Sequence, residues 1–260
     1  MTETLAELIA ASRQAASADA HWLGSGDHRA LLENALTDVF ALPDASLSWG
    51  PPGEQGSSLR STQQIVLERP LPLPHVLPED VAEYTALSLL HECLHLRFST
   101  RLDSYTAAKR AFSPGVQGSI DDLFQLLEDG RVTALGAAED PALGPELGKF
   151  LDEAIRQVKL NSPSHEGTNP QSMREQLLFA LHVHALQPGR KLTLHPCVQR
   201  HLEELEPIIE RAHAGDTAAC GRAAIELVEA VIKTEFPHTM APDHHEPSSD
   251  STPAGHTLEA

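Results

Sequence analysis

Basic residues are scarce in this chain. Nineteen lysines and arginines stand against 37 aspartates and glutamates, a formal net charge of -18 at pH 7. Nucleic acid and an anionic membrane surface would meet the wrong sign of charge, so both are excluded as partners. Cysteine is scarce as well. Cys93, Cys197 and Cys220 are widely spaced and odd in number, with no C-x-x-C pair. They form no disulfide framework, which points to a reduced, cytoplasmic protein. Long apolar runs are missing, and no stretch approaches the roughly 18 apolar residues of a membrane span. The N-terminal TETLAELIAASRQAAS carries acids and no continuous apolar run, so it is not read as a secretory signal. The phosphate-cradling loops G-x-x-x-x-G-K-[ST] and G-x-G-x-x-G do not occur, and neither does the serine-hydrolase elbow G-x-S-x-G. Aromatic residues make up 4% of the chain. Alanine and leucine dominate instead, and both favour helices.

The apolar periodicity predicts helices over residues 2–20 and 28–42, the second with a stripe of Leu31, Leu32, Leu36, Val39 and Phe40. The texture then changes. SLSWG and STQQIVLE read as two short strands around the Gly/Pro-rich loop PPGEQGSS. Proline-rich RPLPLPHVLP leads into a further helix, and helices are expected near 118–137, 143–160, 169–187, 196–213 and 216–234. The pattern gives an α+β class, mainly helical, with a small sheet just before the helix that follows RPLPLPHVLP. Residues 1–236 read as one domain. Residues 237–260 are polar and Pro/Ser-rich and read as a disordered tail, in which His244 and His245 are solvated.

The richest local signal is His91-Glu92-Cys93-Leu94-His95, an H-E-x-x-H pattern inside LPEDVAEYTALSLLHECLHLRFS. Pro78 suits a first helical turn, and Glu79 and Asp80 complement the positive end of the helix dipole. Val81, Tyr84, Leu87, His91, Leu94, His95 and Phe98 recur at spacings of three and four, which places both histidines on one buried stripe. Imidazoles four apart share a helix face and can point at one metal ion, zinc above all. Glu92 stands about 100° round the helix, where a carboxylate can take a proton from water. Cys93 faces away and reads as a small core residue.

Two histidines do not hold a catalytic zinc, so a third ligand is needed. The extension H-E-x-x-H-x-x-G-x-x-H fails, because Phe98 and Arg101 stand at the Gly and third His positions. The segment SIDDLFQLLEDGRVTAL supplies a later helix with Ile120, Leu123, Phe124, Leu127 and Leu135 as its apolar stripe. Glu128 borders that stripe. A carboxylate there is costly unless it is paired or metal-bound, and that cost nominates Glu128 as the third ligand. Asp121, Asp122 and Glu139 are the alternatives. Asp129 suits the outer N–H of a ligand histidine. Arg131 suits either carboxylate or a substrate carbonyl, and Gly130 is a weak point in the helix. Tyr84, Tyr105, Arg131, His165, His182 and His184 are candidates to steady an oxyanion; of the last two, His184 aligns better with Leu177 and Leu181.

LLHECLHLRFST, a gap of some thirty residues, then LFQLLEDGRV resembles the gluzincin-type metallopeptidase domains that precede von Willebrand A domains in cobaltochelatase-related bacterial and phage proteins. The likeness covers residues 60–135. It implies a zincin-like fold, His91, His95 and Glu128 as zinc ligands, and Glu92 as general base. The chain departs from those proteins after residue 140, where no D-x-S-x-S signature and no α/β alternation follow. Two functions are therefore expected to compete. One is zinc-dependent hydrolysis of a peptide or protein substrate. The other is a zincin-fold binding module, catalytically silent, that recruits a protein partner.

Overall fold

The computed structural model describes residues 2–51, 57–59, 61–99, 108–161 and 169–236. The expected tail lies outside them, as do Tyr105 and His165. Helices α1 (Thr2–Ala18) and α2 (Gly26–Asp38) come first, then strands β1 (Ser46–Gly50), β2 (Ser57–Leu59) and β3 (Gln64–Glu68). Helices α3 (Pro78–Phe98), α4 (Pro114–Glu139), α5 (Gly144–Asn161), α6 (Pro170–Leu186), α7 (Pro196–His213) and α8 (Thr217–Lys233) follow. The class is α+β and mainly helical, with the sheet ahead of the motif helix. Among the described residues no helix is long and apolar enough to cross a membrane.

The sheet has three strands in the order β1-β3-β2, one more than the sequence suggests. β1 runs parallel to β3 with Leu47 opposite Ile65, and β2 runs antiparallel to it with Ser58 opposite Ile65. Leu47, Ile65 and Leu67 are buried, the period-2 alternation that puts one face of a sheet on a core. That core includes residues of α1, α2 and α3, together with Val132 of α4 and Leu147 and Phe150 of α5. A second core gathers Ile120, Leu123 and Leu127 of α4 with apolar residues of α6, α7 and α8. Helix α4 therefore serves both cores, and the site lies where it crosses α3.

Helix α3 begins at Pro78, with Glu79 and Asp80 in its first turn, and stops at Ser99, which leaves the helical region at φ -77°, ψ 147°. Its C-terminal half is buried on all sides: Leu89 through Leu94 are all inside. A single apolar stripe does not describe it. Tyr84, expected on that stripe, is 40% exposed, and Val81 and Phe98 are half-buried.

Helix α4 continues unbroken through Gly130. A Cβ on Gly130 would lie 2.3 Å from the carbonyl oxygen of Ala185, 2.8 Å from that of Leu186 and 2.7 Å from His213 Cε1. The glycine lets the end of α6 seat against α4, and this contact fixes how α4 is rotated. Alanine usually gains about 1 kcal/mol over glycine inside a helix. Here Gly130→Ala is expected to lose more than that, because backbone carbonyls cannot swing aside and overpacking costs about 1–3 kcal/mol or more. Chemical denaturation should show a lower midpoint, whereas a stabilised variant would mean that the helices do not touch here.

Candidate metal centre

His91 and His95 project from α3 toward Asp129 of α4, and their donor atoms form a triangle. His91 Nε2 lies 3.1 Å from His95 Nε2 and 3.4 Å from Asp129 Oδ1; His95 Nε2 lies 3.0 Å from the same oxygen. Donors held tetrahedrally at about 2.0–2.1 Å from zinc stand roughly 3.3 Å apart, so the triangle has the size of three zinc ligands. His91 is buried, and His95 and Asp129 are partly so. The Phe150 ring stacks on His91 at a centroid distance of 4.3 Å, and the outer ring of Tyr84 stacks on Phe150 at 6.1 Å. Thr133, one turn beyond Asp129, sets its hydroxyl 3.5 Å from His91 Nδ1.

The third member of the triangle is Asp129, whereas the sequence nominated Glu128 as the third ligand. Glu128 is buried but turned away from the triangle. Arg131 Nε donates to its Oε2 at 2.8 Å and Arg131 Nη2 to its Oε1 at 2.6 Å. Ser99 and Thr217 each donate a hydroxyl to Oε1 at 2.7 Å. The cost of burying this carboxylate is offset by an ion pair and two hydroxyls. Arg131 is likewise committed: Nη2 also donates to the Phe98 carbonyl at 3.1 Å and to Thr217 Oγ1 at 3.2 Å. It is a partner of Glu128, not of a substrate carbonyl. Asp121 takes Lys109 Nζ at 2.6 Å, and Glu139 pairs with Arg97. His184 sits in the α6–α7 packing, with Nε2 donating to the Arg190 carbonyl at 2.9 Å and Nδ1 3.1 Å from Glu206 Oε1. Neither nitrogen faces the triangle's members.

The electrostatics follow from this geometry. Burial opposes the charge on Asp129, but hydrogen bonds from His91 and His95 outweigh it and hold the carboxyl well below the usual range. Burial alone would lower the pKa of His95; the bond to Asp129, with the charges of Asp129, Glu92 and Glu128, raises it. Burial works against the charge on Glu128 too, and Arg131, Ser99 and Thr217 keep it ionised. Glu92 is buried beside the pair, and its charge reaches His95. Burial pushes the Cys93 thiol far up, so it stays protonated in the core.

His95 Nδ1 lies 3.0 Å from Ser99 Oγ. A neutral His95 that donates there turns a bare Nε2 lone pair toward a carboxylate oxygen and a second imidazole. Three electron-rich atoms at 3.0–3.4 Å repel one another unless a cation, a metal ion or a proton, lies among them. The donor set of two imidazoles and one carboxylate suits zinc. Compared with family models, curated proteins and solved structures, the chain gives no match to any of them. The functional reading therefore stands on the residues themselves.

Proposed function

We propose that this protein is a zinc-dependent hydrolase acting on peptide bonds, with His91, His95 and Asp129 as the zinc ligands and Glu92 as general base. The donor triangle carries the reading. These three residues would hold a zinc ion, which would supply Lewis acidity and a nucleophilic water at neutral pH. Glu92 takes the water's proton and hands it to the departing amine. His91 is oriented by Phe150 and Thr133, and His95 by Ser99. Among the described residues the donor group has three members, which would leave a bound zinc ion room for substrate. Tyr84 lies two stacked rings from His91 and is the exposed aromatic best placed to meet a substrate. The three scarce, widely spaced cysteines, free in the structure, support a cytoplasmic setting for this activity.

A second reading keeps the zinc and drops the chemistry, leaving a binding module. The exposed apolar run Leu71, Leu73, Val76 and Leu77 ahead of α3 favours it, since such patches serve as interaction surfaces.

Both readings require the metal. Purified protein should bind one zinc per chain, with proton release on loading, and the metal should raise the unfolding temperature because it binds only the folded chain. His91→Ala and Asp129→Ala should each abolish stoichiometric binding by elemental analysis and calorimetry. A wild-type chain that takes up no zinc would end both readings and leave His95 as a buried imidazolium paired with Asp129.

A further inference from the structure

We propose that His28 is an acid-sensitive latch: enclosed with Trp22 and Trp49, its neutral ring holds closed the corner where the α1–α2 turn meets β1 and the segment before α3, and uptake of a second proton opens that corner. The inference stands apart from the metal-centre reading and needs no metal ion.

His28 is 0% exposed and sits in the first turn of α2. Trp22, from the short 3-10 turn Ala20–Trp22, stacks on its ring at a centroid distance of 4.2 Å, and Trp49 of β1 lies tilted at 5.4 Å. The Gly24 N–H donates to His28 Nδ1 at 3.2 Å. A backbone N–H can only donate, so Nδ1 is the acceptor and the ring proton is on Nε2. Nε2 meets no acceptor among the described residues, and neither does Trp49 Nε1. A second proton must therefore go to Nδ1, where it confronts the Gly24 N–H and ends that bond. Gly24 has little room to yield. It takes the left-handed φ of +67° that suits glycine, and a Cβ there would lie 2.7 Å from the Pro70 carbonyl oxygen. The turn is thus seated against the chain that leads into α3.

The charged groups on the surrounding elements do not compensate a cation here. Asp27 and Arg29 on the same helix, Asp19 and His21 beside Trp22, and Glu68 and Arg69 at the end of β3 are all exposed, and β1 carries no charged residue. Helix α3 packs beside Trp22 through Ala82, and its Asp80 and Glu83 are both bound to Arg13 of α1. Burial is what lowers the ring's pKa, to about 4 from an ordinary 6.5. The Trp22 face attracts an imidazolium, but that is the weaker effect, because the ring is cut off from water and loses its hydrogen bond. The sign follows. An open corner titrates near 6.5 and the closed one near 4, so the closed form holds its full advantage above the higher value. Between the two it loses about tenfold per pH unit as pH falls.

The test uses full-length wild type, His28→Asn and His28→Phe. Asn offers an oxygen to the Gly24 N–H, Phe keeps a ring between the tryptophans, and neither titrates. Hydrogen exchange, corrected for the intrinsic rate, should show the protection of the wild-type Gly24 amide falling about 100-fold from neutral pH to about pH 4, and holding steady in His28→Asn. The chain has 2 tryptophans, and both touch the ring, so their fluorescence reads this corner. The urea transition seen by that fluorescence should move to lower urea between about pH 6.5 and pH 4.5, and should move less in both variants. Equal movement in wild type and in a folded variant would overturn the proposal, because carboxylates elsewhere would then set the acid response. A wild-type Gly24 amide that keeps its protection down to about pH 4 would overturn it as well, and that measurement needs no variant.

Discussion

Replacing Glu128 by Ala is expected to destabilise the fold severely while the donor triangle keeps its zinc. Glu128 and Arg131 are both almost fully enclosed, at 4% and 3% exposure. Removing the carboxylate strands a guanidinium among Phe98, Thr217 and the second core, out of reach of water. Breaking a buried pair from one side typically costs about 3–5 kcal/mol, because the remaining charge is uncompensated. Replacing both partners is a different matter. Glu128→Leu with Arg131→Met removes both charges and leaves apolar groups of similar volume, and such swaps are often neutral or better. The double variant is therefore expected to recover most of the lost stability, with Thr217 and the Phe98 carbonyl as the remaining cost. Urea denaturation of the two singles and the double gives the coupling between the pair. Zinc content separates this role from that of a ligand. Glu128→Ala, assayed where it is still folded, should bind zinc at unit stoichiometry, weakened by no more than the ~10–100-fold of an outer partner. Complete loss of zinc from a folded Glu128→Ala protein would restore Glu128 as the third ligand.

That contrast shows where the sequence could be read and where it could not. The motif helix was legible to its ends, because Pro78, the acidic first turn and the histidine spacing are local signals. The helices after residue 140 lie close to their expected ranges, and the structure caps two of them with Asn169 on Ser172 N–H and Asp216 on Ala219 N–H. The choice between Glu128 and Asp129 was not. The two are adjacent, about 100° apart on a helix; Glu128 borders the apolar stripe and Asp129 stands nearly opposite it. Burial cost argues for a partner at Glu128 without naming the partner, and it does not point to Asp129. One signal was present: Arg131 stands three residues after Glu128, the spacing of a helical ion pair, and it accounts for that carboxylate without a metal. Thr217 lies 89 residues further on, and no local pattern links it to the site. In the sequence Ser99 could be weighed only as a nucleophile, for which no G-x-S-x-G elbow exists; its contacts with His95 and Glu128 come from the fold. β2 escaped notice because three residues, Ser57–Leu59, are too few to show an alternation.

The second large effect concerns Glu92. Glu92→Gln keeps the shape and polarity of the side chain but removes its charge and its ability to take a proton, with an NH2 donor in place of one acceptor oxygen. Zinc binding and fold should survive. The lost charge is one of those that raise the pKa of His95, so the ligand becomes slightly less basic, a small effect beside loss of a ligand. Turnover should fall by about 10²–10⁴-fold, the usual contribution of a general base, which corresponds to roughly 3–5 kcal/mol on the barrier. A peptide library or a denatured protein mixture is the starting substrate. Basic peptides come first, because a chain of net charge -18 concentrates them. Cleavage by wild type and its loss in zinc-loaded Glu92→Gln is the expected result. Equal cleavage by both would assign the activity to a contaminant. No cleavage by zinc-loaded wild type across the library would move the function to the binding module, where the carboxylate beside the two histidines has no proton to carry.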